Sequence, residues 1–199
     1  MTTPRSISTI RRGLTTETPK KLLNADDRYQ NTNLGISKRW IPGSSVATYK
    51  ANSDEHRFDG SSTEDAETAK QMNDKRLRKL IALRDNIVEP EYIGPSNPKY
   101  CLVGWGSNRG VIMKSLELLK KTNVGYLHYE SIWPLKMKTI ETLVDDNAKL
   151  IIVESNATAQ LGKLLRQNVD NLKWHDKWLK YDGRPFYIDE ISNLIEKLN

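Results

Sequence analysis

Two turns in this 199-residue chain carry the residue types and spacing that chemistry would need. The first is Gly104-Trp105-Gly106-Ser107-Asn108-Arg109-Gly110. Glycines let a backbone turn sharply and leave free N–H groups at a helix start, where an anion binds. The spacing of Gly104, Gly106 and Gly110 does not give the dinucleotide pattern G-x-G-x-x-G. No Lys-Ser/Thr follows, so it is not a phosphate-binding P-loop either. Its structural alternative is a tight strand-to-helix turn with Ser107 or Asn108 as the helix cap. The second turn is Glu154-Ser155-Asn156-Ala157-Thr158-Ala159-Gln160. A carboxylate at a strand's end can serve as a base or ligand. More often it satisfies neighbouring backbone N–H groups, and that is the expectation for Glu154.

The remaining chemistry-bearing residues form no reactive set. Asp54-Glu55-His56-Arg57-Phe58-Asp59 lacks the spacing of a zinc or calcium site and reads as a polar loop. His128 and His175 stand alone in the sequence. Trp174 and Trp178, four apart, suit stacking on a ligand but more commonly pack in a core or interface. No nucleophile–base pair and no pair of carboxylates can be assembled, so no catalytic and no metal-binding residue is expected.

Strands and helices must position these turns. Tyr100–Gly104, Val124–His128 and Leu150–Glu154 read as short buried strands, with a further short strand over Trp178–Tyr181. Helices are expected over Val111–Lys121, Met137–Asp145, Ala157–Gln167 and Asp189–Leu198. Such alternation indicates an α/β fold with a mainly parallel sheet and helices on both faces. Functional residues in such sheets collect where strands end and helices begin. Upstream, Ser61 and Glu64 are spaced as a capping box for a long polar helix over about 64–86, with Ala69, Met72, Leu80, Leu83 and Ile87 near one face. Pro90, Gly94, Pro95 and Pro98 then read as a linker. The expected organisation is a flexible basic arm (1–27), an extended irregular segment (28–60), a long helix with its linker (61–98) and the α/β domain (99–199).

Composition narrows the function classes. The net charge is +6, with 37% apolar and 28% charged residues. The first 50 residues hold nine bases and three acids, so that segment carries the whole excess. Its few aromatics give little for bases to stack on, so no nucleic-acid partner is expected. A transit peptide is disfavoured because Pro4 and Gly13 interrupt any amphipathic helix there. The single cysteine, Cys101, excludes an internal disulfide and a cysteine-ligated cluster held by this chain alone. No apolar run is long enough to span a membrane, so no membrane partner is expected.

Several segments together resemble one family. Cys101–Ile112, Ile152–Leu161 and Lys180–Phe186 are similar to turns of the alpha subunit of 2-oxoacid:ferredoxin (acceptor) oxidoreductases. Arg28-Tyr29, Gly35-Ile36-Ser37, Arg39, Pro42-Gly43, Glu55-His56, Gly60 and Lys75-Arg76 occur in the order this family shows. The resemblance runs over about residues 28–199. It departs at Lys38, where proline is usual, at Ala159, where glycine is usual, and at Leu135-Lys136, where Phe-Pro is usual.

The resemblance implies the C-terminal part of such a subunit, with a fold similar to the transketolase C-terminal domain. It implies an assembled cytoplasmic enzyme that converts a 2-oxoacid to acyl-CoA and reduces ferredoxin. Thiamine diphosphate, magnesium and an iron–sulfur cluster would lie on other domains or subunits, with no cofactor bound by this chain alone. The implied partners are a beta subunit and the thiamine-binding part of the alpha subunit, with coenzyme A and ferredoxin for the complex. Gly104, Gly106, Ser107, Asn108, Arg109, Gly110, Glu154, Asn156, Thr158, Gln160, Asp182 and Arg184 would face substrate or another subunit. Arg109 and Arg184 suit bidentate pairing with a carboxylate or phosphate. The alternative is a stand-alone binding or assembly module.

Overall fold

The computed structural model describes residues 28–39 and 50–198. The expected arm over 1–27, and Pro42-Gly43, lie outside the described residues. The chain divides into two compact units, Met1–Asp85 and Asn86–Asn199. The division falls inside the 61–98 stretch expected as one segment.

In the first unit, α1 (Ala66–Asn86) is the long polar helix. Its start is set by Asp65 rather than by the Ser61/Glu64 box. Asp65 accepts from the Thr68 N–H (2.8 Å) and the Thr68 hydroxyl (2.7 Å), as an N-cap carboxylate does. The buried residues of α1 are Met72 and Lys75. Leu83, placed by its spacing on the inner face, is exposed. Residues 28–39 lie against this helix at Gly35. Its φ is +70°, and a side chain there would overlap the Lys75 carbonyl and the Lys79 amide. Glycine is therefore required both by conformation and by the close approach.

The second unit is the α/β domain. Its sheet has the order β1-β3-β2-β4-β5, from β1 (Glu91–Ile93), β2 (Tyr100–Trp105), β3 (Val124–Tyr129), β4 (Lys149–Glu154) and β5 (Trp174–Leu179). β1 pairs antiparallel with β3, and the other neighbours are parallel. β1 lies in the stretch read as linker, where three residues between prolines give no visible period. Gly125 admits it: a side chain there would overlap the Tyr92 ring. The helices are α2 (Asn108–Leu119), α3 (Lys138–Asp145), α4 (Gln160–Asn168) and α5 (Ile188–Glu196).

Two apolar clusters sandwich the sheet. Leu127, Ile152, Ile140, Leu143, Leu161 and Leu165 join one face to α3 and α4. Leu102, Tyr126, Ile151, Ile112, Ile191 and Ile195 join the other to α2 and α5. Central strands are thus buried on both sides, which explains their unbroken apolar runs.

The last strand differs from expectation. It spans Trp174–Leu179, not 178–181, and its register against β4 shifts between Leu150 and Ile151. The shift inserts one residue and reverses the facing of what precedes it. Trp174 therefore packs with the α3/α4 cluster and Trp178 with the α2/α5 cluster. Their four-residue spacing would otherwise place them on one face. His175 and Asp176 between them are exposed, which breaks the apolar pattern that marks β2–β4.

Candidate functional site

Adjacent parallel strands β2 and β4 send their following helices to opposite faces of the sheet. The carboxyl ends of such strands form a topological switch point, where α/β folds place ligands. The two turns singled out in the sequence meet there. Asn108 donates from Nδ2 to the Val153 carbonyl oxygen (3.3 Å) and accepts from the Ser155 hydroxyl (3.0 Å). It is 4% exposed and ties the start of α2 to the end of β4. Ser107 is the N-cap residue of α2, but its side chain makes no capping hydrogen bond. Neither residue caps α2 through its side chain, contrary to the expectation from spacing. Gly106 takes φ +61° with open space around it. Gly104 lies between the Val153 carbonyl and the Tyr126 hydroxyl.

Glu154 is fully buried, and four donors surround it. The Trp105 indole (3.3 Å), the Asn156 amide (2.7 Å) and the Leu161 N–H (3.1 Å) reach Oε2, while the Gly162 N–H reaches Oε1 (2.9 Å). Two of these are backbone groups at the start of α4, where the helix dipole also favours a negative charge. The carboxylate therefore holds the turn together. Asn156 Oδ1 accepts from the Thr158 and Gln160 N–H groups (3.1 and 3.3 Å), completing the cap. The Thr158 and Gln160 side chains face solvent. Ala159, where the family resemblance leads one to expect glycine, adopts φ +50°.

A third segment closes the site. The Lys180 N–H donates to the Glu154 carbonyl oxygen (3.1 Å). Asp182 Oδ1 accepts from the Arg184 N–H (3.1 Å) and shapes the 181–184 turn. Ser107, Ser155, Lys180, Tyr181, Gly183 and Arg184 then line an open crevice of about 480 Å³. Arg184 is exposed there. Arg109 is not in the crevice lining. Its guanidinium holds Glu91 of β1 through Nε (3.1 Å) and Nη2 (2.7 Å). Gly110 lines a separate shallow groove with Phe186 and Tyr187.

Sequence reasoning chose the segments that hold Trp105, Ser155 and Lys180 but did not single these residues out. The first two lie inside the chosen turns, so their position was the available signal. Lys180 is a lysine before a Tyr-Asp-Gly turn, and its contact with β4 depends on the strand pairing. His128 is buried beside the site, with Nδ1 2.8 Å from the Tyr126 hydroxyl. Burial, then the nearby Arg109 charge, holds its pKa below the usual histidine value. In the first unit, His56 packs against Tyr29 with the rings tilted by 45° and their centroids 4.2 Å apart. Asp59 accepts from the Ser61 N–H and hydroxyl, and Glu55 pairs with Arg76. The polar loop is thus knitted to itself and to α1. Among the described residues no three His, Cys, Asp or Glu side chains gather as metal ligands. No helix among them is long and apolar enough to cross a membrane.

Comparison with known proteins bears on this geometry. No family model matches the chain. The chain is 30% identical over 176 residues to subunit alpha of 2-oxoacid:ferredoxin oxidoreductase 2 of Aeropyrum pernix. It is 29% identical over 180 residues to subunit alpha of 2-oxoacid:ferredoxin oxidoreductase 1 of Sulfurisphaera tokodaii. Both alignments take in 86% of this chain but 27% of the relative, so the chain spans about a quarter of their length. Among solved structures, the fold matches a 2-oxoglutarate:ferredoxin oxidoreductase from Magnetococcus marinus with a TM-score of 0.66 and 22% identity. That match covers 92% of this chain and 32% of the other. The chain resembles 2-oxoacid:ferredoxin oxidoreductase alpha subunits along most of its length, and it shares their α/β fold.

Proposed function

We propose that this chain is the C-terminal portion of the alpha subunit of a thiamine-diphosphate-dependent 2-oxoacid:ferredoxin oxidoreductase. Its role is to position and to contact other subunits. The observation that carries this reading is the 30% identity extending over 86% of the chain. The site geometry is consistent with a positioning role: Asn108, Ser155, Glu154 and Asn156 bond one another or the neighbouring backbone. Among the described residues no three His, Cys, Asp or Glu side chains gather, and the switch-point polar groups bond one another, so nothing here is assigned to thiamine diphosphate or its magnesium. That cofactor, and the iron–sulfur cluster, belong to the beta subunit and the thiamine-binding part of the alpha subunit. Ferredoxin and coenzyme A are the partners of the complex, and the cytoplasm is its compartment.

The Magnetococcus marinus enzyme was solved with 2-oxoglutarate, coenzyme A and succinyl-CoA bound. Each carries carboxylate or phosphate groups. Among the described residues lining the crevice, Arg184 is exposed and makes no ion pair, so it is available to such a group. Arg109 is already held by Glu91.

The test is reconstitution with the subunits that supply the thiamine and cluster sites. Coenzyme A-dependent ferredoxin reduction is expected to require this chain. Full activity without it overturns the reading. In the complex, Arg184→Ala should raise the KM for coenzyme A or the oxoacid about tenfold while kcat holds, the effect of losing one charge-assisted pair. Arg109→Ala should leave both KM values near those of the unaltered complex.

A further inference from the structure

Two hollows in the α/β unit meet at Tyr181. The first is the crevice of about 480 Å³, where Ser107 and Arg184 present polar groups. The second is a groove of about 630 Å³ between the end of β5 and α5, where Leu179, Phe186 and Leu194 supply apolar surface and Asn193 a side-chain amide. Lys180 and Tyr181 line both. Tyr181 is 69% exposed, so an aromatic ring stands uncovered where the hollows join. Small-molecule sites have this size and this make-up, an apolar lining with a few placed polar groups.

The two hollows offer different chemistry. In the groove, Phe186 is buried and Leu194 half-buried. Lys180 sits 5.9 Å from the Phe186 ring centre and donates to Glu190 (2.5 Å). Its charge is thereby spent within the protein. What remains is an apolar floor, the Tyr181 ring and the exposed Asn193 amide, which carries a donor and an acceptor side by side. That set suits a flat heterocycle, stacked on its face and hydrogen-bonded at its edge. In the crevice, Arg184 is exposed and makes no ion pair among the described residues, and the Ser107 side chain does not cap α2. A guanidinium with a nearby hydroxyl suits a phosphate. The carboxylates decide the orientation. Asp182 and Glu190 line the groove and neither lines the crevice, so an anionic group is turned away from the first and toward the second.

We propose that this chain binds a nucleoside phosphate across the two hollows. The base lies in the groove against Tyr181 and Phe186, within reach of Asn193. The phosphate lies in the crevice with Arg184 and Ser107. The proposal extends the part given to Arg184 in the proposed function, on which it rests for that residue, by naming what the anion is attached to.

Isothermal titration of the full chain with ADP, adenosine and inorganic pyrophosphate tests this. ADP should bind about tenfold tighter than either of the others, since each of those fills one hollow only. Arg184→Ala should weaken ADP about tenfold and leave adenosine unchanged. Tyr181→Ala should weaken ADP and adenosine alike, by about fivefold, and leave pyrophosphate unchanged. Both side chains are exposed, so folding is preserved, and circular dichroism confirms it. No binding of ADP at millimolar concentration overturns the proposal. So does pyrophosphate binding as tightly as ADP, or ADP binding indifferent to both substitutions. A chain that the reconstituted complex requires but that binds no ADP overturns this proposal alone. ADP binding by a chain that the complex does not require supports it and overturns the subunit reading.

Discussion

Among the described residues, each unit buries one charged side chain, and the two are treated differently. In the α/β unit, Glu154 is fully buried and surrounded by four N–H donors. In the first unit, Lys75 is 5% exposed and donates to two neutral oxygens, the Tyr29 carbonyl (2.7 Å) and Ser37 Oγ (2.6 Å). Arg28, Arg76, Arg78 and Lys79 lie near it and add repulsion. Burial first, and these cations next, push its pKa down to about 8. A buried ion is tolerated when hydrogen bonds replace its hydration. Glu154 has that replacement in full, with two helix-start amides among its donors. Lys75 has it in part, so its protonation is the softer feature.

The largest expected effect breaks the first half of this contrast. Glu154→Ala leaves two buried backbone donors and two half-buried side-chain donors without an acceptor and should cost about 3–5 kcal/mol, read as a fall in the denaturant midpoint. A loss below about 1 kcal/mol would mean that water replaces the carboxylate. Gly35→Ala strikes the second half. It forces a methyl into the α1 backbone at positive φ and should cost about 2–3 kcal/mol. Faster hydrogen exchange of the α1 amides would report it, and unchanged exchange would refute the close approach at Gly35.

A gentler test follows from the Lys75 proton. Its folded pKa of about 8 lies below the ordinary lysine value of 10.5. Between those values the unfolded chain binds more protons than the folded one, so the stability contributed by this group rises with pH across that window. Lys75→Met should flatten the rise, and an unaltered slope would show that the ammonium is better solvated than its burial implies. The smallest effect sharpens the Glu154 side. Ala159→Gly relieves a left-handed alanine at the start of α4 and should raise stability by about 0.5–1 kcal/mol. A loss instead would mean that the buried methyl matters more than the strain.

The same contrast marks what was legible in the sequence. The turns at 104–110 and 154–160 stood out because strand-end glycine, asparagine and glutamate follow unbroken apolar runs. Their meeting at one switch point follows from the parallel order of β2 and β4. The Lys75 network was legible only as scattered residues, Arg28-Tyr29, Gly35-Ile36-Ser37, Glu55-His56 and Lys75-Arg76, in the order of a family pattern. Nothing in their local sequence says that a lysine would be buried. Strand β1, the true span of β5 and the Asp65 cap were missed, since each depends on a neighbour supplied by packing.

By itself, the sequence determined the alternation of strands and helices, because apolar periodicity is a local property of the chain. It determined the placement of the net charge for the same reason. Tertiary structure alone decided which groups meet. The β5 register shift sends Trp174 and Trp178 to opposite faces, Glu91 takes Arg109 away from the crevice, and four donors converge on Glu154. These are contacts between residues far apart in the chain, and pairing geometry and burial set them.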